Sequence, residues 1–116
     1  MNANDYQKLA SRTLINRPDF EISDLEIMIA WNALGLSGET GEVVDHIKKG
    51  IFHQHRIDLL EIADEIGDVL WYVAALCTTL NLDMSVIMER NIEKLKVRYP
   101  DEYSSVDSKR RKDSGL

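Results

Sequence analysis

The chain has 116 residues, 44% of them hydrophobic and 29% charged, which is typical of one globular domain and excludes a chain that is disordered throughout. Its formal net charge of −6 argues against a nucleic-acid partner, because binding a phosphate backbone requires lysine and arginine along one face. No uncharged apolar run approaches the roughly 20 residues of a membrane span, and the N-terminus lacks a signal-peptide pattern, so we predict a cytoplasmic protein with no membrane partner.

The first two predicted helices have apolar residues at the spacing of an α-helix. The first covers about residues 2 to 14. The second begins at a cap on Ser23 or Asp24 and runs to about Lys49, after which Gly50 is expected to close it. This second helix can also kink at its internal glycines.

Two further helices are predicted in the second half of the chain. The third covers about residues 57 to 80 and carries a nearly heptad apolar stripe, in which the lone cysteine, Cys77, is predicted to be a small buried core residue. The fourth begins at Asp83 or Ser85 and ends near Tyr99. Because the alternating pattern of strands is absent, the predicted fold class is all-α, with four or five helices.

Three glycines interrupt the second helix beside two acids. Gly35, Gly38 and Gly41 recur at every third position, with Glu39 and Glu42 among them. Each glycine costs a helix about 1 kcal/mol relative to alanine. We expect the missing side chains to let another helix or a ligand approach the backbone beside the acids, and a simple kink is the alternative explanation.

Two pairs of acids are the most informative feature of the sequence. Glu39 and Glu42 in "GETGE", and Glu65 and Asp68 in "DEIGD", are each three residues apart, so each pair projects from one side of its own helix. No lysine or arginine lies close in sequence to neutralise either pair within its helix. A solvated acidic face is the alternative for either pair alone. Four carboxylates packed together need a cation, and oxygen ligands suit Mg²⁺ or Mn²⁺.

The histidines offer a weaker metal motif. His46, His53 and His55 could form a fragment of a zinc site. The chain lacks cysteine partners for them and an H-E-x-x-H motif, so a polar connector between helices is the favoured interpretation.

Basic residues occur in two places near the C-terminal end. Arg90, Lys94 and Arg98 share one face of the fourth helix with Asn91 close by, which suits an anionic substrate, although pairing with nearby glutamates is as good an explanation of the spacing. A second cluster, Lys109 to Lys112, lies in a predicted polar tail at residues 104 to 116. Such a tail is usually only solvated, but it could close over a bound phosphate.

The order and spacing of these motifs resemble those of the MazG-type all-α nucleoside triphosphate pyrophosphohydrolases. The similar stretches are "GLSGETGEVVDHIKK", "EIGDVLWYVAAL" and "NIEKLKVRYP", which lie within residues 25 to 103. The resemblance implies a helical domain at residues 1 to 103 that completes its bundle in a homodimer or homotetramer. It also implies an enzyme that binds Mg²⁺, with Mn²⁺ as a substitute, and hydrolyses a nucleoside triphosphate to the monophosphate and pyrophosphate, controlling or cleaning the nucleotide pool.

The resemblance also implies roles for individual residues. The implied metal-binding and catalytic residues are the four acids, Glu39, Glu42, Glu65 and Asp68. The implied substrate-binding residues are Asn91, Lys94, Arg98, Tyr72 and Trp31. Three alternatives stay open: a phosphoribosyl-ATP pyrophosphatase, which shares the fold; a non-catalytic oligomerisation or nucleotide-sensing module; and a carboxylate bundle that stores metal.

Overall fold

The computed structural model describes residues 1–53 and 56–101, and every regular element in those ranges is a helix. The described ranges contain four α-helices: α1 at Ala3–Ala10, α2 at Asp24–Phe52, α3 at Leu59–Thr79 and α4 at Met84–Arg98. A short 3₁₀ turn, Ser11–Thr13, follows α1. The all-α prediction is confirmed. The predictions for His55 and for the tail at 104 to 116, with its cluster Lys109 to Lys112, lie outside the described residues.

Side-chain caps explain where the long helices begin. At the start of α2 the hydroxyl oxygen of Ser23 accepts a hydrogen bond from the backbone N–H of Glu26 (3.1 Å), and the Glu26 carboxylate accepts one from the backbone N–H of Ser23 (3.1 Å). This reciprocal capping box confirms Ser23 as the predicted cap. The backbone N–H of Ser23 and the Ser23 hydroxyl (2.9 Å) both donate to the Glu26 carboxylate, and they lower the pKa of Glu26 because they favour its charged form. The carboxylates of Asp58 and Asp83 cap α3 and α4 by accepting hydrogen bonds from backbone N–H groups in the first turn of each helix.

The first predicted helix is confirmed, because α1 ends at Ala10 and the 3₁₀ turn continues it to Thr13. The predicted end of the second helix was wrong, since it continues past Gly50 to Phe52, and it is continuous through its three internal glycines. Gly50 is needed for a different reason: a Cβ atom at this position would overlap the side chain of Ile57, which returns over the helix after the connection.

The end of α3 is a Schellman motif. Asn81 adopts a left-handed backbone conformation, with φ of 55°. The backbone N–H of Leu82 then donates to the carbonyl oxygen of Cys77 (2.8 Å), and the N–H of Asn81 donates to that of Thr78 (3.2 Å). Asparagine tolerates this conformation better than most residues, so the chain turns here at little cost.

Only α2 and α3 pack extensively against each other among the described helices. They run antiparallel, since Gly50 lies beside Ile57 near one end and Gly35 beside Tyr72 further along. The predicted burial of Cys77 is confirmed, and the one other buried side chain in the described ranges is Asn32.

Outside this pair, the fold is open. The chain bends by 110° between α3 and α4, and neither α1 nor α4 has an extensive packing partner among the other described helices. The radius of gyration is 20.8 Å, whereas a compact chain of this length has about 13 Å. The large apolar side chains are therefore mostly exposed.

Within the described part of the chain, no one helix has both the length and the apolar character needed to cross a membrane. Helices α3 and α4 pass such a test only when taken together, on length and composition alone, despite the 110° bend that separates them.

Candidate metal centre

The antiparallel pairing of α2 and α3 brings the two acid pairs together. Glu39 from α2 and Glu65 and Asp68 from α3 each offer an oxygen atom, and these atoms lie within 4.8 Å of one another. Glu42, one turn after Glu39, belongs to a second group that also contains Glu65. We call Glu39, Glu42, Glu65 and Asp68 the carboxylate cluster. The helix pair thus brings together two pairs of acids that are more than 20 residues apart in the sequence.

The electrostatics of the cluster are those of crowded acids. The pKa of Glu39 is raised, first by a hydrogen bond with the carboxyl group of Glu65 and then by partial desolvation. The negative charges of Asp68, Glu65 and Glu42 raise it further. A bound cation would offset this repulsion.

Lysine and arginine form no ion pair with the cluster within the described residues. The ion pairs there involve other acids: Asp45 pairs with Lys49 (2.8 Å) and Lys48 (3.8 Å), and Glu93 pairs with Lys96 (3.2 Å). Lys49 still interacts with the cluster at longer range, because its pKa is raised mainly by Asp45 and also by the negative charge of Glu42.

A histidine lies beside the cluster. The Nε2 atom of His46 is 3.6 Å from an oxygen of Glu65, and its Nδ1 atom is 3.6 Å from an oxygen of Glu61. His46 lies inside α2, within the bounds predicted for the second helix, and its contacts with Glu61 and Glu65 show that it faces α3, so it is not part of the connector. The sequence analysis missed both His46 and Glu61 as site residues. The available signal was the four-residue spacing of Glu42 and His46, which places them on one helix face.

Gly35 lets an aromatic side chain approach α2. A Cβ atom at Gly35 would overlap the ring of Tyr72, so close approach explains this glycine, as predicted. No atom lies within 4 Å of the corresponding position at Gly38 or Gly41, so the prediction of close contact is not met there within the described chain. The ring of Tyr72 also meets that of Trp71 edge to face, with centroids 5.0 Å apart.

Trp31 lies on an open apolar groove next to this contact. Its side chain is 64% exposed. The groove is lined mainly by apolar residues and by one acid: Ile22, Glu26, Ile27, Ala30, Trp31, Leu34 and Gly35. Gly35 therefore borders both the groove and the ring of Tyr72, which puts the two predicted pocket residues on either side of one glycine.

The predicted phosphate contacts are not joined to the cluster within one chain. Asn91 and Lys94 line a surface depression on α4 together with Ile87 and Arg90. Arg98 lies in the last turn of the same helix. None of these groups forms an ion pair or hydrogen bond with the carboxylate cluster in the part of the chain that the structure describes.

The donor atoms of the cluster fit a hard divalent cation. Glu39, Glu65 and Asp68 supply only oxygen atoms, the ligand type that Mg²⁺ and Mn²⁺ prefer. Glu65 is half-buried and Asp68 is exposed, so solvent can complete the coordination, and Mg²⁺ usually keeps several waters.

Comparison with known proteins agrees with this arrangement. Residues 30–103 match the family model described as the MazG nucleotide pyrophosphohydrolase domain. The Gene 37 protein of Mycobacterium phage L5 is 35% identical over 104 residues, which cover 84% of this chain and 89% of the phage protein. Among solved structures, none matches the chain.

Proposed function

The chain belongs to the MazG nucleotide pyrophosphohydrolase family, and on that premise we propose that it is a Mg²⁺-dependent enzyme that hydrolyses a nucleoside triphosphate to the monophosphate and pyrophosphate. The substrate is a ribo- or deoxyribonucleotide, and the biological effect is to limit or clean the nucleotide pool. The observation that carries the proposal is the meeting of the two acid pairs across the α2–α3 interface.

The chemistry needs acids beside an anionic substrate. Bound Mg²⁺ would neutralise the triphosphate and lower the pKa of an attacking water. The carboxylate cluster would hold and orient that cation from two helices at once, so its geometry depends on how α2 packs on α3. The crowding that raises the pKa of Glu39 would be relieved by the charge of the bound cation.

The base of the nucleotide fits the region around Gly35. Tyr72 supplies an aromatic ring on one side, and Trp31 supplies an exposed indole on the other. Aromatic faces bind bases through stacking, which contributes about 1–3 kcal/mol per base in single-strand binding proteins. We assign these two residues to base binding, and Asn91, Lys94 and Arg98 to phosphate binding.

A second copy of the chain is needed to complete this site. The basic residues of α4 do not contact the carboxylate cluster of their own chain, and α4 carries exposed apolar residues with no extensive packing partner in the described ranges. Few side chains are buried in the single chain, although burial of apolar surface is the main stabilising term of a fold. We therefore propose a homodimer or homotetramer built from the helical domain at residues 1 to 103. Sedimentation equilibrium at micromolar concentration would return a monomer mass if this is wrong.

Hydrolysis is tested with a panel of nucleotides. Purified protein is incubated with canonical and modified nucleoside triphosphates in Mg²⁺, and both pyrophosphate and orthophosphate are measured. The proposal predicts pyrophosphate from at least one nucleotide and none after chelation of the metal. Orthophosphate alone would indicate cleavage of a different bond, and no product from any nucleotide would favour a non-catalytic module.

Matched variants locate the activity. Glu42→Gln and Asp68→Asn remove one acid from each helix while keeping the size of the side chain, and both should abolish release of pyrophosphate. Asp45→Asn is the control, because Asp45 lies on α2 and pairs with Lys49 outside the cluster. Undiminished activity in the two cluster variants would exclude the cluster as the site.

A further inference from the structure

The structure holds two groups of metal-binding side chains that share Glu65. One is the all-oxygen group of Glu39, Glu65 and Asp68. The other contains Glu42, His46 and Glu65, whose ligand atoms also lie within 4.8 Å of one another. We propose that this second group is a separate site for a transition-metal ion such as Mn²⁺, Co²⁺ or Zn²⁺. Its role in hydrolysis rests on the proposed function, but its binding of metal does not.

The spacing between His46 and Glu65 is that of two ligands around an ion. Their atoms are 3.6 Å apart, which is too long for a hydrogen bond. Neighbouring ligands with bonds of about 2.1 Å to one metal ion lie roughly 3.0–3.4 Å apart in octahedral or tetrahedral geometry. A shift of a few tenths of an ångström therefore brings these two atoms to bonding positions.

Glu42 supplies the third ligand from the same helix face as His46. The two residues are four positions apart in α2, so their side chains lie one above the other. The Glu42 side chain is exposed and can rotate toward the ion at little cost, whereas His46 and Glu65 are half-buried and better fixed. Ligands from both helices make the site dependent on the α2–α3 interface.

Glu61 acts as a positioning residue for the imidazole. It lies 3.6 Å from Nδ1 of His46, on the side away from Glu65. Histidines that bind metal through one ring nitrogen usually direct the other toward a carboxylate or carbonyl group, which fixes the orientation of the ring. At 3.6 Å Glu61 is also beyond hydrogen-bond distance of Nδ1, and a shift of a few tenths of an ångström would let it accept a hydrogen bond there while Nε2 faces the ion.

The nitrogen ligand makes the two sites chemically different. Imidazole suits Mn²⁺, Co²⁺, Ni²⁺ and Zn²⁺, whereas Mg²⁺ is held through oxygen and water. The group with His46 should therefore prefer a transition metal, and the all-oxygen group should accept Mg²⁺. The competing explanation is that a protonated His46 serves only as a counter-ion for Glu61 and Glu65, with no metal role.

The test measures metal binding directly, without nucleotide. Untagged full-length protein is titrated with Co²⁺ in excess Mg²⁺, and binding is followed by the visible absorption of the bound Co²⁺ and by calorimetry. We expect saturable Co²⁺ binding that His46→Gln weakens at least about tenfold. Glu61→Gln should weaken it by about 10-fold, as for other residues that orient a ligand. The affinity for Mg²⁺, measured alone, should change less than about twofold in both variants.

His53→Gln is the matched control, because His53 lies at the end of the same helix but outside both groups. It should leave Co²⁺ binding unchanged. Absence of Co²⁺ binding by the wild-type protein, or equal loss in the His46 and His53 variants, would overturn the second site. Helical content from circular dichroism confirms that each variant is folded. The two proposals fail separately. If the protein releases pyrophosphate but His46→Gln binds Co²⁺ as tightly as the wild type, only this inference is refuted. If Co²⁺ binds as expected but no nucleotide is hydrolysed, only the proposed function is refuted.

Discussion

Helices α2 and α3 differ sharply from α4 in what a single chain provides. The first two pack against each other and bring to one place five side chains that could hold a metal ion, the four acids of the carboxylate cluster and His46. Helix α4 carries the predicted phosphate contacts but has no extensive packing partner in the described ranges. A local helix pair thus provides the acidic half of the proposed site, and under the proposed function the basic half comes from a second copy of the chain.

The largest expected effect comes from Glu65, which belongs to both metal-binding groups. Glu65→Gln should lower kcat for pyrophosphate release at least about a hundredfold, the scale seen when one group that stabilises transition-state charge is removed. Asp64→Asn is the control, because Asp64 is the adjacent, exposed acid on α3. Equal losses in the two variants would mean that the position of the carboxylate does not matter.

Glycine substitutions test the packing of the helix pair. Gly35→Ala should destabilise the fold by about 1–3 kcal/mol, because the new methyl group overlaps the ring of Tyr72. Gly38→Ala meets nothing within 4 Å in one chain and should stabilise α2 by up to about 1 kcal/mol. The free energy of unfolding of each variant is measured from urea unfolding curves and compared with that of the wild type. A loss of stability in Gly38→Ala would instead mean that another chain covers this face.

A smaller effect is expected on α4. Lys94→Ala should raise KM about tenfold through loss of one phosphate contact and leave the unfolding curve unchanged. Lys96→Ala is the matched control, since Lys96 pairs with Glu93 on the same helix. An unchanged KM in the Lys94 variant would remove α4 from the substrate site and leave the acidic half to act alone.

The smallest effect concerns the cap that starts α2. Ser23→Ala should lower the free energy of unfolding by about 1 kcal/mol, the usual loss for a serine cap. The pKa of Glu26 is lowered in the fold, so its stabilising hydrogen bonds are present above the ordinary carboxylate pKa and are lost as the pH falls through the lowered value. The difference between wild type and variant should therefore shrink in acid, and a constant difference would show that Glu26 does not take part.

The sequence was sufficient to predict helices and helix starts, because these depend on local spacing and caps. Ser23, Asp83 and the apolar stripe of the third helix are examples. It did not predict that α2 continues past Gly50, because the need for glycine there comes from Ile57, seven residues away. Local capping rules favour glycine as a helix end, and only the returning chain shows otherwise.

The candidate site was predictable only where its signal lies within one helix. The missing positive charges around the four acids indicated a cation site, and the structure brings those acids together. His46 and Glu61 were missed, because their relation depends on the register between two helices and not on spacing within either one. Trp31 and Tyr72 were placed near a nucleotide by resemblance, and this placement stays a prediction; in the structure Trp31 lines the groove beside Gly35.

The central claim is that acids from α2 and α3 act as one catalytic metal site. A double-mutant cycle on pyrophosphate release in Mg²⁺, with Glu39→Gln, Asp68→Asn and the double variant, tests it most directly. We predict that each single variant is severely impaired and that the double variant is hardly worse than either, because one substitution already dismantles the shared site. Losses that multiply independently, or wild-type protein that releases no pyrophosphate, would contradict the claim.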